Sequence, residues 1–184
     1  MLASRKLIAV PVAALAVAGL AVGSAVAASG GKPPKVDKIK IVQHTKVKPG
    51  FYIQDGLRYT PYKSTVKHGG TINVSGGKGA FSEGPHSFSL VKKSDLPKTA
   101  SQVAKCKVCG KIAQEHGFNP NDENSQPTTP FVDGGDGFNK PGDSALIDGQ
   151  HVKTLKLHVT AKKGKTLYYI CAIHPWMQGS IKVK

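Results

Sequence analysis

The 184-residue sequence has little of what membrane-spanning and nucleic-acid-binding proteins require. Beyond residue 28 no segment approaches the roughly 20 apolar residues of a membrane span. Aromatic residues make up only 7%, and no basic stripe alternates with stacking aromatic side chains, so nucleic-acid binding is disfavoured. Only 11 acidic residues oppose 26 Lys and Arg, giving a net charge of +15. This charge favours acidic protein surfaces or an anionic cell envelope as partners, since it steers encounters without fixing a fold.

The first 27 residues have the composition of an export leader. Arg5 and Lys6 precede a run of almost only Ala, Val, Leu, Ile and Gly at 7–28, and Ala25-Val26-Ala27 is a small-x-small cleavage signal. We therefore expect a signal peptide at 1–27 and a mature protein in the periplasm, the cell envelope or the extracellular space. No Cys follows the run, which disfavours a lipid anchor.

Pro and Gly punctuate the rest of the chain, which contains 21 Gly and 12 Pro. Residues 28–37 are expected to form a flexible linker, and 38–184 one domain without internal repeats. Short alternating segments between the turns predict strands and no long helix. The predicted strands are 38–43, 71–75, 85–92, 152–160, 166–171 and 180–183. An all-β sandwich or small barrel accommodates such a pattern.

A polar, Gly- and Pro-rich segment at about 94–149 interrupts this rhythm. A loop of this length inside a compact domain is usually functional, disordered or wrongly assigned. We interpret it as an insertion between two core strands, with a short helix near 99–116. The Gly-rich acidic stretch at 133–143 lacks the spaced carboxylates and final Glu of a calcium loop, and it is predicted to be ordinary loop.

The chemically richest residues lie near the C terminus, where a thiol, an imidazole and a thioether fall within seven positions: Cys171, His174 and Met177. One short loop between two predicted strands can place all three donors around one ion. Thiolate and thioether are soft ligands that favour copper, and one Cys, two His and a weak axial Met form the electron-transfer copper set. Alternation of Leu167, Tyr169 and Cys171 also places the thiol on the core-facing side. The loop lacks a second imidazole.

Strand alternation selects His86 for that place among the seven histidines. His86, Phe88 and Leu90 share one face of their strand, so the imidazole points toward the apolar core. His158 shares a face with Lys156 and is expected to be solvated. Surface or structural roles are assigned to His158 and to His44, His68 and His151.

The set His86, Cys171, His174 and Met177 resembles the ligands of the cupredoxins, the type 1 blue copper proteins of the plastocyanin and azurin family. The C-x2-H-x2-M spacing looks like that of amicyanin. The resemblance implies a Greek-key β-sandwich with the metal near one end. It also implies one copper ion that passes single electrons between extracytoplasmic redox partners.

Two features depart from the family pattern. Ser87 stands where many members have an Asn that braces the ligand loop, which leaves the bracing of this loop open. The long separation between His86 and Cys171 places the insertion between the two halves of the site.

The resemblance further implies that the imidazole edge of His174 is the electron port, inside an apolar patch that docks partners briefly. Trp176 either belongs to that docking patch or stiffens the loop by packing. The lysines would steer acidic redox partners, an effect that weakens with salt. We expect a monomer.

A second group of possible donors lies in the insertion, at Cys106 and Cys109 with His116 nearby. It is not a c-type haem site, since Gly110 stands where that motif requires His. A disulfide, a separate metal site of both thiolates with His116, and a thiol redox role all remain open. Zinc usually requires four donors and only three are present.

Three function classes follow from these residues. The leading one is an electron carrier, and the alternative is an extracytoplasmic copper-binding or delivery protein that uses exchangeable Cu(I). An oxidase is disfavoured because no H-C-H or paired H-x-H segment could build a trinuclear centre and a single terminal Cys cannot form a two-thiolate dinuclear site. We therefore expect no enzymatic activity.

Overall fold

Two β-sheets face each other in the computed structural model, which describes residues 32–119, 121–122 and 124–184. The signal peptide predicted at 1–27 lies outside the described residues. The first sheet has the spatial order β10-β6-β1-β4. Its strands are β1 (Val36–Val42), β4 (Arg58–Thr60), β6 (Thr71–Gly76) and β10 (Thr154–His158).

The second sheet has six strands in the order β5-β12-β11-β7-β9-β8. They are β5 (Lys63–Val66), β7 (His86–Val91), β8 (Phe131–Val132), β9 (Ser144–Ile147), β11 (Thr166–Ile170) and β12 (Gln178–Val183). A separate hairpin pairs β2 (Lys46–Lys48) with β3 (Tyr52–Gln54). Because the chain changes sheet after β4, β5, β6, β9 and β10, the sheets form a sandwich with crossing connections of the Greek-key kind.

Side-chain alternation explains why these segments are strands. In β1, Ile39 and Ile41 are fully buried while Lys38 and Lys40 are exposed, as expected for a strand with one face on the core. The inner faces of both sheets supply one apolar core, with Tyr59, Phe88 and Tyr169 among its largest buried side chains. Tyr59 contacts both other rings edge to face, and Phe88 stacks on Tyr169.

Two boundaries differ from those expected. Val36 and Asp37, assigned to the linker by composition, begin β1, where Asp37 is buried and accepts a hydrogen bond from the Ser64 hydroxyl. The segment predicted as an insertion contains β9, which pairs with β7 as part of the second sheet. The insertion is therefore built into the sandwich and does not simply extend from it.

Two α-helices lie in the described chain where the sequence predicted a single one, near 99–116. They are α1 (Ala100–Ala104), which the Thr99 hydroxyl caps, and α2 (Lys107–Glu115). On α2, Cys109 and Ile112 are spaced three residues apart and share the helix face buried with Val91 and Ile170 of the second sheet. The helix thus covers the outer face of β7 and β11, so all six residues of β7 are buried.

Within the described residues, no helix has the length and apolar character needed to cross a membrane.

Candidate metal centre

The four residues predicted as ligands lie at one end of the second sheet. His86 is the first residue of β7, Cys171 follows β11 directly, and Met177 immediately precedes β12. β7 and β11 are hydrogen-bonded neighbours, so the start of one strand and the end of the other meet at the same edge. His174 lies in the loop between β11 and β12, residues 171–177, which we call the ligand loop.

Three of these residues bring their donor atoms together. His86 Nδ1 lies 3.8 Å from Cys171 Sγ, His174 Nδ1 lies 3.7 Å from the same sulfur, and the two nitrogens are 3.1 Å apart. Among the described residues this is the one cluster of at least three His, Cys, Asp or Glu side chains close enough to hold a metal ion. All three side chains are buried.

The donor triangle fits a metal ion. With metal–nitrogen bonds of about 2.0–2.1 Å and a metal–sulfur bond of about 2.3 Å, three donors in a trigonal plane lie roughly 3.5–3.8 Å apart. Both sulfur–nitrogen distances match this range. The shorter nitrogen–nitrogen distance requires only a smaller angle between these two donors at the metal.

A backbone carbonyl fixes which nitrogen of His86 faces the cluster. His86 Nε2 lies 2.7 Å from the carbonyl oxygen of Ala80, to which it donates, and this leaves Nδ1 as the unprotonated donor. The Phe81 ring lies against the imidazole, with 5.7 Å between ring centroids. Gly149, at φ +75°, makes room for that ring, since a Cβ there would lie 2.3 Å from Phe81 Cδ2.

Ser87 contacts the ligand loop through both its backbone and its side chain. Its N–H donates to Cys171 Sγ at 3.4 Å, and its hydroxyl accepts from the N–H of Ala172 at 2.8 Å. Its carbonyl oxygen accepts from the buried hydroxyl of Tyr59. Ser87 therefore occupies the bracing position that the family pattern assigns to Asn, and a serine hydroxyl makes the contact.

The ligand loop is closed by its own backbone. Cys171 N–H donates to the carbonyl of Met177 at 2.9 Å, and Met177 N–H donates to the carbonyl of His174 at 2.8 Å. The Met177 side chain is fully buried in the core. The thioether therefore lies in the interior at the same end of the sandwich as the other three residues.

Burial sets the protonation of this site in the metal-free protein. Removal from water lowers the pKa of His86 and of His174 below the usual value and raises the pKa of the Cys171 thiol. Both imidazoles are thus neutral and ready to bind at neutral pH. The thiol has to lose its proton when a metal binds, so uptake releases a proton.

His174 is the donor nearest to the surface. Its side chain is 6% exposed, and its Nε2 has no hydrogen-bond partner in the described part of the chain. The one buried side-chain N or O atom without a partner there is Asn73 Oδ1, so the Nε2 edge of His174 reaches solvent. Ile173 and Trp176 are 44% and 43% exposed beside it, and the Trp176 ring contacts the imidazole edge to face, at 5.4 Å.

A buried Cys and two His thus lie together at one end of a two-sheet sandwich, and the buried Met177 ends the same loop. The fold and this cluster resemble those of the cupredoxins. The cluster of His86, Cys171 and His174 is one that could hold a single copper ion.

Comparisons with known proteins return cupredoxin structures at low sequence identity. A purple cupredoxin from Nitrosopumilus maritimus is 14% identical, with a TM-score of 0.37 over 80% of this chain and 99% of that one. Plastocyanin from Dryopteris crassirhizoma gives 16% and 0.36 over 80% and 99%, and amicyanin from Paracoccus versutus gives 13% and 0.37 over 83% and 85%. No family model and no curated protein sequence matches the chain.

The remaining candidate residues have other roles in this cupredoxin-like structure. Cys106 and Cys109 form a disulfide at the start of α2, which leaves neither sulfur available as a thiolate ligand. His116 is buried and hydrogen-bonded at both ring nitrogens, to Thr129 and to Ser144, so these three residues do not form a second metal site. Exposed positions are found for His44, His68, His151 and His158.

The residues that support the cluster could not be predicted from the sequence. Ala80 and Tyr59 contact His86 and Ser87 from segments without any chemical motif. The one usable signal was the pair Ser87 and Ser89, which share one face of a strand that is buried throughout. Two hydroxyls on a buried face need partners, and this need predicts a hydrogen-bonded network around the site.

Proposed function

We propose that the protein is a type 1 copper protein that carries single electrons between extracytoplasmic redox partners. His86, Cys171 and His174 would hold the copper ion, and the Met177 thioether would supply a fourth, weaker donor. The observation that carries the proposal is the buried triangle of two imidazole nitrogens and one sulfur, 3.1 to 3.8 Å apart. Copper, when bound, supplies the one-electron couple.

The contacts around the cluster suit a site that transfers electrons and does not catalyse a reaction of a bound substrate. Ala80 holds the His86 ring, Ser87 N–H supports the sulfur, and the loop's backbone hydrogen bonds fix the spacing of its ligands. A site held in this way changes little between two oxidation states, which keeps reorganisation small. Burial of all three donors keeps water and small substrates from the metal.

The surface around His174 supports brief docking. The solvent-facing edge of this imidazole lies between Ile173 and Trp176, which are both about half exposed. An apolar patch with a ligand at its centre offers a short path from the metal to a partner. The excess of 26 basic over 11 acidic residues favours partners with acidic surfaces.

The test is the spectrum and voltammetry of the full chain loaded with Cu(II). We expect an intense blue thiolate-to-copper band, the narrow EPR splitting of a type 1 site and a reversible one-electron couple. Cys171→Ser should abolish the band while the fold persists by circular dichroism. The double variant Cys106→Ser/Cys109→Ser is the matched control, because it removes the other two sulfurs and should keep the band.

Two results would count against this function. Retention of the blue band in Cys171→Ser would remove the sulfur from the ligand set. Rapid loss of Cu(I) to a chelator, without a reversible couple, would instead select the alternative of copper binding and delivery. The Cys106–Cys109 disulfide argues against delivery through these two thiols.

A further inference from the structure

A series of buried hydrogen bonds connects the ligand loop to the insertion. This relay consists of Ser87, Ser89, Ser144 and His116. Ser87 Oγ lies 2.8 Å from Ser89 Oγ, which lies 2.7 Å from Ser144 Oγ, which in turn lies 2.6 Å from His116 Nε2. At one end Ala172 N–H donates to Ser87, and at the other His116 Nδ1 contacts the carbonyl of Thr129. The three serines and His116 are each at most 1% exposed, so water does not compete for these bonds.

The two ends of this relay fix the direction of every hydrogen bond in it. Ala172 N–H can only donate, so Ser87 accepts there, and Ser89 Oγ is the neighbouring acceptor for the Ser87 proton. The Thr129 carbonyl can only accept, so His116 carries its proton on Nδ1. In the neutral ring Nε2 is then an acceptor, and it receives the proton of Ser144.

Every hydroxyl in the relay thus donates once and accepts once, and only a neutral His116 with its proton on Nδ1 completes the pattern. A proton on Nε2 would reverse the serines, and the hydroxyl proton of Ser87 would then face the N–H of Ala172. One buried donor would have no acceptor, which is unfavourable in the protein interior. The side chain at position 116 therefore affects the hydrogen bond between Ser87 and Ala172, the residue that follows Cys171.

We propose that His116 is a positioning residue for the metal centre, acting through Ser144, Ser89 and Ser87. This inference rests on the proposed copper function, because its consequence is for the metal's potential. Ser87 both braces the loop at Ala172 and donates its N–H to Cys171 Sγ. Whatever fixes the Ser87 side chain also fixes this N–H···S contact, which withdraws electron density from the sulfur and favours the reduced metal.

His116 belongs to the insertion, and backbone hydrogen bonds fix its position there. His116 directly follows α2, and its carbonyl accepts from the N–H groups of Thr128 and Thr129, which fold back onto the helix end. Ser144 belongs to β9, the strand that pairs with β7. The segment that separates the two halves of the ligand set in sequence thus supports the site from the outer face of the sheet.

The first test measures the relay without copper, by NMR on the zinc-loaded and metal-free full chain. We expect the ¹⁵N shifts of His116 to show the neutral Nδ1–H tautomer. Ser89→Ala, which removes a hydroxyl that bonds to Ser87 and Ser144, should speed amide exchange of Ala172 by about tenfold, because Ser87 loses its acceptor. Ser64→Ala, which removes a hydroxyl bonded to Asp37, is the matched control and should leave Ala172 exchange unchanged.

The second test reads the reduction potential of the copper-loaded protein. His116→Leu should lower it, because Ser144 loses its acceptor and the support of the N–H···S contact weakens. His116→Gln, whose side-chain oxygen can accept from Ser144, should restore the wild-type potential and Ala172 exchange. A structural role alone would not produce this rescue.

The proposal is overturned if Ser89→Ala exchanges at Ala172 like Ser64→Ala, if His116 is an Nε2–H tautomer, or if His116→Leu leaves the potential unchanged. Should His116→Leu fail to fold, Ser89→Ala provides the same two readouts. The absence of a blue band in the wild-type protein would overturn the copper function alone. The exchange and tautomer results would still decide whether the relay positions the loop.

Discussion

At the scale of single residues, the cluster of His86, Cys171 and His174 was predictable because each side chain carries its chemistry in its type. Cys171, His174 and Met177 lie close in sequence, and alternation in one strand was enough to add His86. Their supports were not predictable in the same way. Ala80 contributes a backbone carbonyl, and any residue type could have supplied it. Ser144 and His116 reach the site through a fold that no local pattern specifies.

The proposed thioether donor, Met177, gives a prediction at this scale. Met177→Leu keeps a buried apolar side chain of similar volume, so the fold and copper binding should persist. We expect the potential to rise by about 60 mV or more, which is a roughly tenfold change in the relative affinity for the two oxidation states. Loss of a thioether donor disfavours Cu(II), which explains the direction. Voltammetry checks it, and an unchanged potential would exclude Met177 as a ligand.

At the scale of secondary structure, long alternating strands were predicted and short ones were not. β1, β6, β7, β10, β11 and β12 all lie within two residues of the expected boundaries. β4 has three residues with one buried side chain, Tyr59, so it is too short to show an alternation of apolar and polar residues in the sequence. β9 lies in a Gly- and Pro-rich segment, and it is a strand because its backbone pairs with that of β7 in the sheet.

The turn after β9 gives a prediction about pH. Asp148 accepts from the backbone N–H of Val152, contacts the His151 side chain, and accepts from the N–H groups of Gln150 and His151. These bonds, with that from Val152 foremost, hold its pKa down at about 2. A lowered carboxyl pKa stabilises the fold above the unfolded value of about 3.9. That contribution is lost as the pH falls through about 2.

We therefore expect Asp148→Asn to melt below the wild type at pH 7, and the difference to vanish between about pH 4 and pH 2. Melting temperatures from circular dichroism at several pH values measure this. Asp95→Asn serves as control, since this exposed carboxylate accepts from the neighbouring Ser94 hydroxyl. A difference that persists at pH 2 would show that the carboxylate charge is not responsible.

At the scale of the whole molecule, charge and surface act together. The net charge of +15 is spread over a chain whose ligand end exposes Ile173 and Trp176. Composition alone predicted the charge, whereas the position of the apolar patch depended on how the ligand loop closes. The charge acts over distance and the patch only on contact, so they should be separable by salt.

We predict that electron transfer to an acidic redox protein slows about tenfold between low and high ionic strength, because screening removes the steering. Stopped-flow rates over a salt series measure this. An uncharged small reductant is the control and should show little dependence. A salt-independent rate with the acidic protein would mean that the lysines have no part in the encounter.

Both ends of the described chain lie at the far side of the sandwich from the metal centre. The Pro34 carbonyl accepts from Lys67 N–H, and the Lys184 carbonyl accepts from His68 N–H, just beyond the end of β5. β12 runs from the ligand loop to Lys184, and its six residues span about 20 Å. If the protein is attached to an electrode or a bead through Lys184, the solvent-facing edge of His174 will therefore point away from the support and remain accessible to redox partners.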